Sequence, residues 1–358
     1  MELTMIVKLY YNRVIKENAK EIINCRKRHE YCSDIKNVWR LDGSWDNIEA
    51  DRGNEMGVYP IGELIRRTRE SLGIARKDLC EGICTLETLC RIENGNRSPN
   101  RANFQALMER MGKSGEKYMV FVHSDDIDLI EKGRELEALL TSRKFEELEN
   151  KVADLKQQLD VEDGVNRQYI IRMQALAEFE TGKISANEKR KLLEEALRCT
   201  VPRYQEGIVP KGLFSRNELL LYCNIAVSYA QEKNFNMALV IFRQLVQYFE
   251  NTNIDMEERS ISETLLLCNL SQCFGQNGNL EEAIETGEKA IKLCISTGKC
   301  GVLPNLLYCN AYMHELLDQD NNHRKKRMIQ AYYVAELNGN KRSMDHILKH
   351  MKEVTFKP

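Results

Sequence analysis

The chain has 358 residues and a formal net charge of −2, and its length suffices for two or three domains with substantial cores. Its near neutrality excludes a general electrostatic attraction to nucleic acid or to membrane surfaces. With only 6 prolines and 20 glycines, and with apolar residues repeated at helical spacing, the composition predicts an all-α protein.

No run of residues approaches the roughly 20 apolar positions of a membrane span, so we expect a cytoplasmic protein that does not contact the membrane. The 12 cysteines are then expected to be reduced thiols. Cys25, His29 and Cys32 offer only three metal ligands, without a second Cys/His pair at zinc-finger spacing, so no metal site is predicted. A phosphate loop and a nucleophile with a base partner are also lacking, and we expect neither a cofactor nor enzymatic activity.

Residues 1–57 predict an N-terminal extension of two or three helices. Apolar residues such as Leu9 and Trp39 give these helices an irregular apolar face. A polar run from Asp46 to Gly57 then indicates a linker. The next domain is predicted at residues 58–113.

Four short amphipathic segments follow in residues 61–112. The first predicts a helix that Gly73 ends, and a second helix is predicted over Leu79–Ile83. A tight turn that contains Gly82 leads into the third helix, and a loop at Asn94-Gly95 separates it from the fourth. This order predicts a helix-turn-helix within a small helical domain.

The run LCEGICTLETLCRIENGNRSP, at residues 79–99, carries a family resemblance. It is similar to the Cro/repressor type of DNA-binding domain. Within that type it resembles the peptide-responsive, quorum-sensing regulators of Gram-positive bacteria, the class of PlcR, PrgX and Rgg, in which Gly-Ile-Cys followed by Ser or Thr opens the recognition helix. Arg76 departs from the family pattern, which often has Gln at this position. The resemblance implies a regulator that binds DNA and responds to short secreted peptides taken back into the cell.

The residues of this segment also have the chemistry of a DNA interface. Thr85 is a predicted N-cap, so the first turn of the third helix can enter the major groove with its N–H groups near phosphate. In that groove Glu can accept a hydrogen bond from cytosine, Thr can bond a base edge or touch a thymine methyl group, and Leu can add apolar contact. We therefore predict base contacts from Thr85, Leu86, Glu87 and Thr88, and phosphate contacts from Arg76, Lys77, Arg91, Arg97 and Arg101. Glu93 is predicted to have a structural role instead.

After a connector at residues 114–124, the chain repeats one helical pattern. The dipeptide Cys-Asn recurs at positions 223–224, 268–269 and 309–310. Small residues follow where tetratricopeptide repeats have them, as in Ala226 with Ala238 and in Ser271 with Ala283. We predict a tetratricopeptide-like array over residues 125–358, with the first helix of each repeat on the concave face.

Asn224, Asn269 and Asn310 occupy the same repeat position and are expected to form a ladder on that concave face. An amide side chain offers both a donor and an acceptor, which suits the backbone of an extended peptide. Arg172 is expected to meet a peptide carboxylate. The alternative is that each asparagine stabilises its own repeat through a hydrogen bond between helices.

Together these features predict a transcription regulator that binds double-stranded DNA as a homodimer and is controlled by a short signalling peptide. A second interpretation remains: a helical-repeat module for protein–protein interaction, in which the helix-turn-helix domain serves for docking.

Overall fold

The computed structural model describes residues 61–113, 127–298, 300–317 and 321–355. The chain divides into two units, Met1–Gly57 and Val58–Pro358, and all described residues belong to the second. The predicted N-terminal extension with its Cys25, His29 and Cys32, and the predicted connector, lie outside the described residues.

The fold is all-α, as predicted. Helices and turns account for the described residues, apart from irregular loop segments and one isolated β-bridge between Gln205 and Ile208. The helices form a small domain followed by a longer repeat domain.

Four helices build the small domain. They are α1 (Ile61–Ser71), α2 (Arg76–Cys80), α3 (Leu86–Glu93) and α4 (Arg101–Arg110). Gly73 ends α1 as predicted, because its φ of +66° is left-handed and its N–H donates to the carbonyl of Glu70.

Helix α2 lies earlier in the chain than the predicted Leu79–Ile83. Ala75 has an extended backbone, and its carbonyl accepts a hydrogen bond from the N–H of Leu79, so the first turn forms at Arg76. Gly82 then takes a φ of +72°, which an α-helix does not accommodate. Ile83 consequently lies in the turn between α2 and α3.

The small domain has an apolar core to which all four helices contribute. Its fully buried members include Ile65 of α1, Leu79 of α2, Leu89 of α3 and Leu107 of α4. Val165, a residue of the repeat domain, belongs to the same cluster. The two domains therefore share an apolar contact.

The repeat domain consists of helix pairs joined by short turns and a last single helix. Each helix packs on the next one along the chain, and in the later pairs the first helices of neighbouring pairs also pack on each other, as in a tetratricopeptide-like array. The pairs are α5 (Ile127–Thr141) with α6 (Phe145–Lys156), α7 (Gly164–Glu180) with α8 (Ala186–Arg198), α9 (Arg216–Gln231) with α10 (Phe235–Asn251), α11 (Met256–Gln276) with α12 (Leu280–Thr297), and α13 (Leu303–Leu316) with α14 (Asn321–Leu337); the last helix is α15 (Lys341–Thr355).

Small residues lie inside the pairs at the positions that the repeat pattern predicted. Ser271 of α11 donates its hydroxyl to the carbonyl of Ala283 in α12 at 2.7 Å. Ala226 of α9 and Ala238 of α10 are both fully buried. Short side chains at these positions allow the two helices of a pair to approach closely.

The connection from residue 199 to 215, between α8 and α9, is long and is held by hydrogen bonds to neighbouring helices. The side chain of Gln244 in α10 accepts a hydrogen bond from the N–H of Val209 at 3.0 Å. The carbonyl of Thr200 accepts one from Arg110 of the small domain, also at 3.0 Å. This connection therefore joins the small domain to the body of the repeats.

Candidate functional site

Helix α3 begins at a well-formed cap. Thr85 has an extended backbone, with φ −72° and ψ 155°, and its Oγ1 accepts a hydrogen bond from the N–H of Thr88 at 3.1 Å. Thr85 is therefore the N-cap, as predicted. Its hydroxyl also donates to Oγ1 of Thr88 at 2.9 Å, so these two side chains orient each other.

The residues predicted to contact bases lie together at this end of α3. Thr85, Leu86 and Glu87 are exposed, with 49% of Leu86 accessible, and Thr88 is half-buried. The opposite face of the helix is buried in the domain core, as at Leu89. Helix α3 thus has one face buried in the core and one face exposed.

Glu93, in the last turn of α3, is buried and bonded to two arginines. Its carboxylate accepts hydrogen bonds from Nε of Arg69 in α1 and from Nε of Arg76 in α2, each at 2.6 Å. Burial raises the pKa of Glu93, but the hydrogen bonds from the two arginines outweigh burial and hold that pKa below its ordinary value. The carboxylate fixes α3 against both preceding helices, which confirms the structural role predicted for Glu93.

Arg69 was missed by the sequence analysis. Its side chain is 9% exposed, and besides Glu93 it donates to the carbonyl of Ile74 at 3.0 Å. One signal could have identified it: Arg69 lies one turn after Ile65 on the buried face of α1, where a charge interrupts an apolar stripe. A buried guanidinium requires a partner, and a carboxylate is the strongest one available.

The residues predicted to contact phosphate differ in their surroundings. Lys77, Arg91 and Arg97 are exposed, whereas Arg76 and Arg101 are half-buried. Arg76 is held by Glu93, and 39% of its side chain remains accessible. The structure brings all five onto the small domain that carries α3, and their contacts with DNA stay predictions.

The three predicted ladder asparagines are not equivalent. Asn224 of α9 and Asn269 of α11 are half-buried, and their side-chain amides make no hydrogen bond within the described ranges. Asn310 of α13 is only 1% exposed, and its Nδ2 donates to the carbonyl of Ile284 in α12 at 3.4 Å. Asn310 thus makes the interhelix contact of the alternative interpretation through Nδ2, while its Oδ1 has no partner among the described residues. Its contact with a peptide stays a prediction.

Arg172 of α7 is buried, with 3% of the residue exposed. Its Nη1 donates to the carboxylate of Glu137 in α5 at 3.3 Å, while its Nε has no hydrogen-bond partner among the described residues. A buried donor without a partner is costly. Arg172 stays a predicted carboxylate contact, and its partner Glu137 was not identified from the sequence.

The cysteines in the described part of the chain are free thiols. Burial raises the pKa of Cys84 to about 11 and that of Cys223 to about 12, so both stay protonated at neutral pH. Among the described side chains, no group of three or more His, Cys, Asp or Glu is arranged to hold a metal ion. No helix in the described ranges combines the length and apolar character needed to cross a membrane.

Comparison with known structures identifies the fold. The chain is similar to Bacillus thuringiensis PlcR solved in complex with the peptide PapR7 and DNA, at 17% identity and a TM-score of 0.56, over 80% of this chain and 98% of PlcR. It is also similar to PlcR in its apo form, at 16% identity and a TM-score of 0.52, over 81% of this chain and 98% of PlcR. At these identities the likeness shows a common fold.

Sequence comparison identifies the family. No curated protein sequence matches the chain significantly. The family described as RNPP family C-terminal domain matches residues 133–356, which is more than half of the chain. This match confirms the resemblance inferred from residues 79–99, and the protein belongs to the RNPP family.

Proposed function

We propose that the protein is a cytoplasmic transcription regulator that binds double-stranded DNA sequence-specifically through α3 and a short signalling peptide through its repeat domain. The observation that carries the DNA-binding half is the exposed N-terminal turn of α3, capped by Thr85 and held at its other end by the buried Glu93. Membership of the RNPP family supports both halves of the proposal, as does the fold shared with PlcR, which was solved with a peptide and DNA.

The small domain at residues 58–113 is the DNA-binding module of this proposal. The exposed turn of α3 enters the major groove, and the surrounding basic side chains contact phosphate. A single helix-turn-helix domain covers one half-site, and dimers bind two half-sites about one helical turn of DNA apart. The regulator is therefore proposed to act as a homodimer.

The repeat domain at residues 125–358 is the peptide-binding module. The amides of Asn224 and Asn269 have their donor and acceptor available within the described ranges, and the spare donor of Arg172 suits a carboxylate. A peptide can control transcription here only if it binds two conformations of the protein, one that binds DNA and one that does not, with different affinities.

A variant with Thr85→Ala and Glu87→Ala tests the DNA-binding half. Both side chains are exposed, and loss of the Thr85 cap should cost only about 1 kcal/mol, so the domain should stay folded while its preference for particular DNA sequences is lost. Glu281→Ala removes an exposed carboxylate from α12 in the repeat domain and should leave the preference unchanged. Binding is measured with competing DNA duplexes, and folding by thermal unfolding.

The exposed Leu86 is also compatible with the second interpretation, in which this face of α3 docks on a protein. If the double variant and the unaltered protein bind every DNA duplex equally, or bind none, the docking module is favoured and the regulator is not.

A further inference from the structure

Two charged residues occupy the centre of the exposed face of α3. Glu87 and Arg91 lie four positions apart and are both exposed. At 3.6 residues per turn their side chains point within about 40° of each other. Leu89, Ile92 and Glu93 are buried on the opposite side of the helix. A groove that receives this face therefore meets Glu87 and Arg91 at its middle.

Neither the side chain of Glu87 nor that of Arg91 has an interaction partner in the described part of the protein. Glutamate followed four residues later by arginine is the spacing that favours an ion pair on a helix, yet no ion pair or hydrogen bond involving these two side chains is formed among the described residues. Some charges of the small domain are paired, as are Glu63, which bonds to Arg67 at 2.7 Å, and Glu93, which bonds to Arg69. The side chains of Lys77 and Arg97 resemble those of Glu87 and Arg91 in having no ion-pair or hydrogen-bond partner among the described residues, but they lie outside α3. The hydrogen-bonding capacity of Glu87 and Arg91 is thus available to a partner.

We infer that Arg91 and Glu87 are the residues that determine DNA sequence preference, an inference that rests on the proposed function. Arg91 donates two hydrogen bonds to O6 and N7 of a guanine. The carboxylate of Glu87 accepts a hydrogen bond from N4 of a cytosine. The planar guanidinium matches the two acceptors of guanine, and a carboxylate, which only accepts, needs an amino group on the base edge.

This assignment moves Arg91 from the phosphate contacts to the base contacts. Phosphates border the groove and are reached from the sides of the recognition helix and from neighbouring loops, such as the one with Arg97. Helical side chains lean toward the N-terminus of their helix, so Arg91 leans toward the end of α3 that enters the groove. Because Arg91 also lies at the middle of the exposed face, its guanidinium is expected to reach base edges in the groove.

The spacing constrains the half-site. Glu87 and Arg91 are separated by about 6 Å along the helix axis. Base pairs are about 3.4 Å apart, so the cytosine and the guanine are expected within about two base pairs of each other.

The test is selection of bound sequences from a random duplex DNA pool by the full-length protein and by three variants. For Arg91→Ala, the guanine preference at one position should fall by about 5- to 150-fold, while the other positions keep their preferences. For Glu87→Gln, the cytosine preference should change to adenine, because an amide pairs with the N6 and N7 edge of adenine. Arg97→Ala is the control for a phosphate contact.

Arg97→Ala should weaken binding to all sequences alike and make the dependence of affinity on salt less steep. The inference is overturned if Arg91→Ala shows this same uniform effect, and the proposed function then still stands. If the unaltered protein selects no sequence, the proposed function fails and this inference fails with it. Both residues are exposed, so thermal unfolding should show the two variants folded like the unaltered protein.

Discussion

Arg110 of α4 and Glu218 of α9 form a buried ion pair between the small domain and the repeat domain. Their side chains are 3% and 1% exposed, and Nη2 lies 2.6 Å from Oε1. Arg110 also donates to the carbonyls of Leu79 in the small domain and Thr200 in the repeat domain. One guanidinium therefore bonds to both domains, and its desolvated charge is compensated on each side.

Arg110→Ala should be strongly destabilising. It leaves Glu218 buried without its partner, and breaking a buried pair in this way costs about 3–5 kcal/mol. Lys113→Ala is the matched control, because Lys113 pairs with Asp255 between the same two domains at 2.9 Å with about a third of each side chain exposed. The control should cost less than about 1 kcal/mol. Equal losses in urea unfolding would contradict this account of the interface.

Gly82→Ala should disrupt the same interface by steric contact. A Cβ at Gly82 would lie 2.0 Å from the carbonyl oxygen of Thr200, a backbone atom that cannot rotate away. Gly95 has a similar left-handed φ of +73° but nothing within 4 Å of its Cβ position. Gly95→Ala should therefore cost only the left-handed strain, about 1–2 kcal/mol. Thermal unfolding compares the two variants, and the account fails if Gly82→Ala is no worse than Gly95→Ala.

The buried Glu93 should make the small domain sensitive to acid. A carboxyl whose pKa is lowered by folding contributes stability that is present above its unfolded pKa, ordinarily 4.5, and is lost as the pH falls through the folded value. In Glu93→Gln the side chain does not titrate and cannot form ion pairs with Arg69 and Arg76. The variant should therefore be less stable than the unaltered protein at neutral pH, and its free energy of unfolding should fall less on acidification. Urea unfolding at a series of pH values measures both effects. Parallel curves for the two proteins would show that Glu93 contributes nothing to the acid dependence.

Alanine substitutions should separate the asparagines by role. Asn224→Ala and Asn269→Ala should leave the free energy of unfolding nearly unchanged and weaken peptide binding, because their amides have no protein partner within the described ranges. Asn310→Ala removes the hydrogen bond to the carbonyl of Ile284 and should cost about 1 kcal/mol. Unfolding and peptide titration are measured on the same preparations. A large stability loss at Asn224 or Asn269 would restore the structural interpretation for all three.

Local spacing made several features predictable from the sequence. The Thr85 cap, the end of α1 at Gly73 and the Ser271–Ala283 contact each depend on a few neighbouring residues or on one repeat pattern. The beginning of α2 was not predictable in this way, because Ala75 has no side chain that can cap a helix.

Features that depend on packing between distant segments of the chain could not be predicted from the sequence. Arg110 and Glu218 are 108 residues apart, and neither position carries a local signal of the other. Asn310 differs from Asn269 in its neighbour: a Cβ at Gly287 of α12 would lie 3.4 Å from Nδ2 of Asn310, so the glycine leaves space for the amide. At the equivalent position of α10, four residues after the small residue of the pair, the chain has Phe242.

Selection from a random duplex DNA pool by the full-length protein, at two salt concentrations, tests the central claim most directly. Two salts are needed because phosphate contacts give sequence-independent binding that salt weakens. The account predicts enrichment of an inverted repeat whose half-sites lie about one helical turn apart. Absence of any enriched sequence, with the protein alone and with added synthetic peptides, would contradict the claim and favour a protein-interaction module.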